Sequence, residues 1–249
     1  MNINFKNQTV LITGATKGIG KQLAHDFAAL GANLILTGTE MKEIETLNRT
    51  AKKRTGAFTK YYAVDFRDPK SLNTFLGELN FVKRIDVCIN NAGTNATSDI
   101  TEASAEDWKN IMAVNLEAPF KITRAVGKIM KKQKYGRIVN IASIWSVISK
   151  PQKSIYTASK FGVRGLTVAS AIDLAPHVLV NAVSPGVVLT NMSRNMLGPK
   201  GMKEWATRVP LGRLAKPVEI SKVVQFLASK ENTYITAQNI VVDGGFVSV

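Results

Sequence analysis

The 249-residue chain has few of the residues that mark secreted, metal-binding or membrane proteins. Its single cysteine, Cys88, excludes an internal disulfide, and its position in an apolar run predicts a buried, unreactive thiol. The two histidines, His25 and His177, are far apart, so no metal site is expected. No run reaches the ~18 apolar residues of a membrane span. Because no apolar core follows a basic start, we expect a cytoplasmic protein without membrane attachment.

Acidic residues are also scarce. The chain has 18 Asp and Glu against 33 Lys and Arg, which gives a formal net charge of +15. The densest basic clusters are Lys52–Arg54 and Lys131–Lys134. We interpret both as solvated helix ends, where cations are favourable, and keep an anionic partner as the alternative. Aromatic residues are not interleaved with these clusters, so binding to nucleic acid is not expected.

The chain has no obvious linker, low-complexity segment or internal repeat. A single domain over residues 1–249 is therefore expected. Seven short apolar runs alternate with helical patterns, which predicts an α/β fold with a parallel, doubly wound sheet. Between residues 191 and 213, glycines and prolines interrupt weak helical patterns. We interpret this irregular stretch as part of a substrate lid at about residues 187–213.

Tyr156 and Lys160 are the pair around which the predicted chemistry is organised. Four residues apart on a predicted helix, they share one face. A phenol has a pKa near ~10, and a nearby ammonium favours the phenolate and lowers that pKa. Ser143 ends the apolar run before this helix, and a strand end lies close to the start of the next helix in an α/β layer. We therefore expect hydroxyl, phenol and ammonium to converge.

A glycine-rich turn follows the first apolar run, Thr9–Thr13. Gly14 permits a tight turn, Gly18 lets the backbone approach a pyrophosphate, and Gly20 allows the next helix to pack on the strand. The order of strand, glycine turn and helix predicts a dinucleotide site.

The second apolar run ends in Gly38 and Thr39, where a site for NAD would carry an acid on the ribose. Without that carboxylate, Lys17 and the Thr39 hydroxyl could bind a 2′-phosphate. NADP(H) is therefore the preferred cofactor. NAD(H) stays possible, because the carboxylate of Glu40 is one residue further on.

Polar residues end several other runs. Asp65 follows the third run, where it is either a turn residue or an acceptor for the adenine amino group, and Asn90–Gly93 follows the fourth. Ligands of such sheets bind outside the carboxyl ends of the strands, so both are candidates for cofactor contacts. Asn115 lies within a predicted helix from about Ala105 to Lys132. It is either a satisfied core amide or it distorts the helix and holds a water.

Together these motifs resemble the short-chain dehydrogenase/reductase family: Thr13–Gly20, Asn90–Gly93, Asn115, Ser143, Tyr156 with Lys160, and Pro185 with Gly186. The resemblance implies a Rossmann-like sheet of order 3-2-1-4-5-6-7 with helices on both faces. It also implies a nicotinamide cofactor and a homotetramer or dimer.

By that resemblance, Tyr156 is the catalytic acid/base and Lys160 lowers its pKa and holds the nicotinamide ribose. Ser143 orients the substrate oxygen, and Asn115 holds a water in the proton relay. The expected substrate contacts are Ser143, Trp145, Tyr156 and Val187. The expected cofactor contacts are Gly14, Thr16, Lys17, Gly18, Ile19, Gly20, Thr39, Asp65, Phe66, Asn91, Ala92, Gly93, Tyr156, Lys160, Pro185, Gly186, Val188 and Thr190.

Within the family, the chain is most similar to bacterial 3-oxoacyl-acyl-carrier-protein reductases. This resemblance implies that the substrate is a 3-oxoacyl thioester. It also implies that an acidic carrier protein docks on Lys131, Lys132 and Lys134. Two departures leave alternatives open. The segment Ala175–Leu179 lacks the usual arginine, and Trp145 adds bulk beside Ser143. The enzyme alternative acts on a nucleotide-linked sugar or another small secondary alcohol. The non-enzyme alternative is a catalytically idle, NADP-binding regulatory protein.

Overall fold

The computed structural model describes residues 3–51 and 57–249, so the basic cluster Lys52–Arg54 lies outside the described residues. Its strands are β1 Thr9–Ile12, β2 Asn33–Gly38, β3 Thr59–Ala63, β4 Val87–Asn90, β5 Gly136–Ile141, β6 Val178–Pro185 and β7 Asn239–Val242. They form one seven-stranded sheet of order β3-β2-β1-β4-β5-β6-β7. Every neighbouring pair is parallel. The predicted α/β class and strand order are confirmed.

Helices connect the strands, as parallel pairing requires. They are α1 Gly18–Ala29, α2 Met41–Ala51, α3 Pro69–Leu79, α4 Ala105–Met112, α5 Ala118–Gln133, α6 Ser154–Leu174, α7 Asn191–Thr207 and α8 Pro217–Ala228. No helix in the described part of the chain is both long and apolar enough to cross a bilayer.

The core has two main layers, one on each face of the sheet, because successive strand residues point to opposite faces. On one face, Phe27 of α1 and Val224 of α8 pack on Val10 and its neighbours. On the other face, Phe75 of α3 and Val126 of α5 pack in the cluster that holds Leu11, Cys88, Ile138 and Val180. Cys88 is fully buried, as predicted, and burial raises the pKa of its thiol.

The helix predicted from Ala105 to Lys132 is interrupted. The chain leaves α4 after Met112, makes a π-helical turn over Ala113–Glu117, and continues as α5. Such turns insert an extra residue into a helix and are frequent at functional sites. Asn115 lies within this turn.

The stretch from Asn191 that we predicted to be irregular is helical over α7, so that prediction was wrong. The Thr190 hydroxyl accepts from the Ser193 N–H at 3.3 Å and caps the helix. Gly198, at φ 61°, absorbs the kink that Pro199 imposes. The sequence signals misled because a good cap starts the first helical piece and one permissive glycine lets the second follow it across the kink.

The remaining basic cluster lies at a helix end, as predicted. Lys131 and Lys132 occupy the last turn of α5, and the Lys131 ammonium donates to the Asp173 carbonyl at 3.1 Å. The cluster immediately precedes β5, so it lies at the amino edge of the sheet.

Candidate active site

A cavity of about 630 Å³ runs along the carboxyl ends of the strands. It extends from the glycine turn after β1 to the start of α6 and the first turn of α7. All the predicted catalytic, cofactor and substrate residues line it except Gly20 and Asn115. Those two instead support residues of its wall, because Gly20 packs under Gly14 and Asn115 is bonded to Thr94. Residues from distant parts of the sequence thus meet in one space.

The glycine turn is built for close approach of the backbone. Gly14 has φ +63°, and a β-carbon there would lie 2.9 Å from the Ala92 Cα. Gly18 has φ +53°, and a β-carbon there would lie 3.3 Å from a Thr190 side-chain carbon. Positive φ therefore disfavours larger residues at both positions, and at Gly14 the space excludes them as well. The turn leads into the first N–H groups of α1, which favour an anion, so the chain fits the pyrophosphate of a dinucleotide.

Hydrogen bonds fix this turn to the end of β4. The Thr13 hydroxyl accepts from the N–H groups of Asn91 and Ala92, each at 2.9 Å. The Asn91 amide donates to the Thr13 carbonyl at 2.9 Å and to the Gly14 carbonyl at 3.1 Å. Asn91 was predicted to contact the cofactor, and the structure gives it this second task of holding the turn.

The end of the cavity beside β2 and β3 is positively charged. Lys17 and Thr39 line it, as predicted, whereas Glu40 does not. Asp65 also lines it, but its carboxylate pairs with Arg67 at 2.7 Å. Hydrogen bonds from Arg67 hold the pKa of Asp65 below its ordinary value. Sequence reasoning missed Arg67, although its position two residues after a strand-end acid was a usable signal.

At the other end of the cavity the three predicted catalytic side chains converge. Tyr156 and Lys160 extend from the first turns of α6, and Ser143 follows β5. The Lys160 ammonium donates to the Ile141 carbonyl at 2.9 Å and lies 5.7 Å from the centre of the Tyr156 ring. A hydrogen bond joins the side chains of Ser143 and Tyr156.

Burial dominates the titration of this group. It raises the pKa of Tyr156 to about 12, although the hydrogen bond with Ser143 acts in the lowering direction. Burial also lowers the pKa of Lys160 to about 8. The prediction that the ammonium brings the phenol pKa toward neutrality is therefore wrong for the protein by itself. The reason is that removal from water disfavours the charged form of each group.

Asn115 is a satisfied core amide, and it lies in a distorted turn of the helix. Its amide oxygen accepts from the Thr94 N–H at 2.8 Å, and its amide nitrogen donates to the Thr94 carbonyl at 2.9 Å. The same nitrogen donates to the Ser159 hydroxyl at 3.0 Å, which in turn donates to the Tyr156 carbonyl at 2.7 Å. The distorted helix therefore supports both the loop after β4 and the start of α6. Its predicted role in a proton relay stays a prediction.

Beyond the catalytic group, Trp145 lines the cavity, and further aromatic rings pack against it. Trp145 and Val187, the predicted substrate contacts, belong to a cluster with Trp205 and Phe246. The Trp145 and Trp205 rings lie 6.3 Å apart, edge to face, and the rings of Trp205 and Phe246 lie 5.1 Å apart. Trp205 and Phe246 were missed because α7 was predicted to be irregular and because nothing in the sequence connects the last residues to Trp145.

Two polar residues of the same end were also missed. Lys153 and Asn95 line the cavity, and the Lys153 ammonium donates to the Asn95 amide oxygen at 3.1 Å. Each looks like an ordinary surface residue in the sequence. Only the packing of the loop after β4 against the start of α6 brings them into the site.

Comparison with known proteins agrees with this site. A family model described as Enoyl-(Acyl carrier protein) reductase matches residues 14–247. The 3-oxoacyl-(acyl-carrier-protein) reductase FabG of Thermotoga maritima is 36% identical over 248 residues, which are 98% of this chain and 100% of the relative. The galactitol 2-dehydrogenase (L-tagatose-forming) of Cereibacter sphaeroides is 35% identical over 239 residues, covering 94% of this chain and 93% of the relative.

A solved structure, that of a gluconate 5-dehydrogenase from Burkholderia cenocepacia J2315 in complex with NADP and tartrate, superposes with a TM-score of 0.91. It is 28% identical, and the match covers 99% of this chain and 97% of the other. The cavity, the glycine turn and the converging Ser143, Tyr156 and Lys160 thus occur in a chain that matches this family over nearly its whole length. The chain therefore belongs to the short-chain dehydrogenase/reductase family, whose members are oxidoreductases that act on carbonyl and alcohol groups.

Proposed function

We propose that the protein interconverts a carbonyl group and a secondary alcohol with NADP(H). The observation that carries the proposal is the position of Ser143, Tyr156 and Lys160, which line the same cavity as the glycine turn. One cavity can thus hold a dinucleotide and a small substrate side by side. The complex of the related gluconate 5-dehydrogenase with NADP supports the choice of cofactor.

The residues of the cavity fit NADP(H) along its length. The glycine turn and the start of α1 would hold the pyrophosphate. Lys17, Thr39 and Arg67 would hold the 2′-phosphate, because guanidinium and ammonium groups are strong partners for phosphate oxygens. Tyr156 and Lys160 would hold the nicotinamide ribose. When bound, NADPH supplies the hydride that forms the new C–H bond at the carbonyl carbon.

The side chains supply the proton and the orientation. The Ser143 hydroxyl donates to the carbonyl oxygen of the substrate and fixes its position. Tyr156 transfers its phenolic proton to that oxygen, and the high pKa of the phenol keeps the proton available at neutral pH. The ammonium of Lys160 stabilises the phenolate that remains. A proton from solvent then restores the phenol, and we assign its delivery to a water held beside Asn115.

The first candidate substrate is a 3-oxoacyl thioester on an acyl carrier protein, which the FabG relatives support. The predicted docking residues Lys131, Lys132 and Lys134 do not fit this role. They lie at the amino edge of the sheet, and β5 has six residues, so the catalytic edge is about 20 Å away. We assign the docking instead to Lys150, whose ammonium lies 5.9 Å from the centre of the Trp145 ring.

The second candidate substrate is a small polar alcohol such as a free or nucleotide-linked sugar. The galactitol 2-dehydrogenase relative supports it. The specific observation in its favour is the buried ammonium of Lys153 at the substrate end of the cavity, because a neutral acyl chain offers that charge no partner.

Oxidation of NADPH, followed by its absorbance, tests the proposal. The panel contains acetoacetyl-coenzyme A, a free keto sugar and a nucleotide-linked keto sugar, and NADH replaces NADPH in a parallel series. We expect turnover of at least one substrate with preference for NADPH. Tight binding of NADPH without oxidation by any carbonyl compound would overturn the proposal and favour an idle binding protein.

We also propose that the chain assembles through the outer face of α5 and α6. Phe120 on α5 is 50% exposed, and Phe161 and Ile172 on α6 are 43% and 71% exposed. Exposed apolar groups of this size on two neighbouring helices are typical of an interface. A dimer or tetramer in light scattering, reduced to a monomer by Ile172→Glu with Phe161→Glu, is the expected result. A monomeric wild-type protein would contradict it.

A further inference from the structure

Lys153 is a buried cation beside the catalytic phenol, and the reaction steps described above do not use it. It immediately precedes α6, and it is only 5% exposed. Its ammonium lies 5.9 Å from the centre of the Tyr156 ring, almost as close as that of Lys160 at 5.7 Å. Lys153 therefore places a positive charge at the substrate end of the cavity.

That charge is not balanced within the described part of the chain. The Lys153 ammonium donates to the Asn95 amide oxygen at 3.1 Å and to the Thr97 hydroxyl at 2.8 Å, and both acceptors are neutral. An ammonium has three donors, and residues 3–51 and 57–249 provide no acceptor for the third. Among those residues Asp65 is the only acid that lines the cavity, and it is paired with Arg67 at the opposite end.

A buried ammonium without a counter-charge destabilises the folded protein, because the loss of hydration is not compensated. Burial, and then the nearby charge of Lys150, lower the pKa of Lys153, as expected for a cation that lacks an anionic partner. An unpaired charge of this kind in a cleft is a candidate functional site.

A second underused donor lies next to this ammonium. The Asn95 amide nitrogen contacts only the Met196 sulfur, at 3.2 Å, and a thioether is a weak acceptor. Asn95 is held in place because its oxygen accepts from Lys153. Met196 belongs to α7 and is half exposed, so it can move aside for a ligand. One ammonium donor and one amide donor thus face the same side of the cavity.

We propose that Lys153 and Asn95 bind a carboxylate of the substrate, so that the enzyme acts on small oxo acids and the corresponding hydroxy acids. This inference rests on the proposed function and adds the substrate class. A carboxylate has two oxygens, one for each donor. A phosphate monoester carries about −1.5 to −2 charges, more than one ammonium and one amide can satisfy. A neutral 3-oxoacyl chain would leave the charge of Lys153 unpaired.

Acetoacetate and its neutral amide, acetoacetamide, test this inference because they share the same 3-oxo group and nearly the same size. We expect the wild-type enzyme to prefer acetoacetate in steady-state oxidation of NADPH. Lys153→Gln should raise the KM for acetoacetate by about 30-fold, as for loss of one partner of a buried charge pair, and affect acetoacetamide far less. Lys153→Arg should keep the preference.

Lys132→Gln is the matched control, because it removes one positive charge at the opposite edge of the sheet and should leave the preference intact. Equal losses on both substrates in Lys153→Gln would mean that Lys153 only clamps the loop after β4, and would overturn the inference. Equal use of both substrates by the wild-type enzyme would overturn it while leaving the proposed function in place.

A binding measurement separates the two proposals when turnover is absent. Acetoacetate is titrated by calorimetry into Tyr156→Phe with NADPH present, and into Tyr156→Phe/Lys153→Gln. Binding that is lost with Lys153 supports the inference even if no carbonyl compound is reduced. Binding that is unchanged contradicts it, and tighter binding of acetyl phosphate than of acetoacetate would contradict the assignment of a carboxylate.

Discussion

The two ends of the cavity differ in how much of their wall is backbone and how much is side chain. At the glycine turn of the cofactor end the wall is backbone, shaped by Gly14 and Gly18 and fixed by Thr13 and Asn91. At the substrate end the wall is made of side chains from the loop after β4, the end of β5, α6 and α7. A wall made of backbone requires particular residue types, such as glycine, at fixed positions in the sequence. A wall made of side chains can be built from many different combinations of residues. The first end can therefore define a family, and the second can define a substrate.

The catalytic group lies at the boundary between the two ends. Lys160 donates to the last carbonyl of β5, which ties it to the sheet, and Asn115 ties the start of α6 to the loop after β4. Lys153 lies one turn before Tyr156 but serves the substrate end. Substitutions on the substrate side of this boundary should therefore alter turnover or substrate preference. Substitutions at the glycine turn should alter cofactor affinity and stability.

The largest effect is expected for Tyr156→Phe, which removes the proposed proton donor and keeps the ring. Turnover should fall roughly 10²- to 10⁴-fold, the usual contribution of a general acid, while NADPH affinity in a fluorescence titration changes little. Tyr234→Phe is the matched control, because Tyr234 is 95% exposed and its loss should leave turnover unchanged. Substantial activity in Tyr156→Phe would mean that another residue supplies the proton.

Lys160→Met should change how the free energy of unfolding depends on pH. Burial lowers the pKa of Lys160 from 10.5 to about 8, so between these values the unfolded chain holds a proton that the folded chain has released. The free energy of unfolding should therefore rise with pH across this window, by up to about 3 kcal/mol, and the gain is lost as pH falls through 8. Denaturant unfolding at several pH values should show this rise in the wild type and a smaller one in Lys160→Met, where the lowered pKa of Lys153 still contributes. An undiminished rise in Lys160→Met would assign it to a different group.

Gly14→Ala breaks the backbone wall. The new methyl group would meet Ala92 in a residue held at positive φ, so we expect a loss of about 1–3 kcal/mol in the free energy of unfolding, together with weaker NADPH binding. Gly77→Ala is the control. Gly77 lies inside α3 with open space around it, and there the same change should stabilise by about 0.5–1 kcal/mol. Similar changes in the free energy of unfolding for Gly14→Ala and Gly77→Ala would show that the backbone at Gly14 does not specifically require glycine.

The smallest effect is expected for Lys17→Ala, since Lys17 is exposed and its charge is screened by solvent. NADPH binding should weaken roughly fivefold, as for an exposed ion pair, and NADH binding should change less. Lys21→Ala removes the same charge one turn further along α1 and should not discriminate between the cofactors. Equal losses of NADPH and NADH in Lys17→Ala would show that Lys17 does not contact the 2′-phosphate.

The order of the strands was implied by the resemblance to a known family. The sequence by itself determined the parallel α/β fold, the glycine turn and the convergence of Ser143, Tyr156 and Lys160. It did so because these features depend on local patterns: apolar runs of strand length, glycines that a turn requires, and a four-residue spacing on one helix face. Its errors were local as well. The cap at Thr190 and the permissive Gly198 keep α7 helical, although proline and glycine predicted an irregular stretch.

Only the tertiary structure decided what surrounds the substrate. The upward shift in the pKa of Tyr156 comes from burial and not from its sequence neighbour Lys160. Lys153 and Asn95 are 58 residues apart and meet because two loops close over the same strand ends. Burial, hydrogen-bond partners and the balance of charge in a cavity are properties of packing, and no spacing in the sequence encodes them.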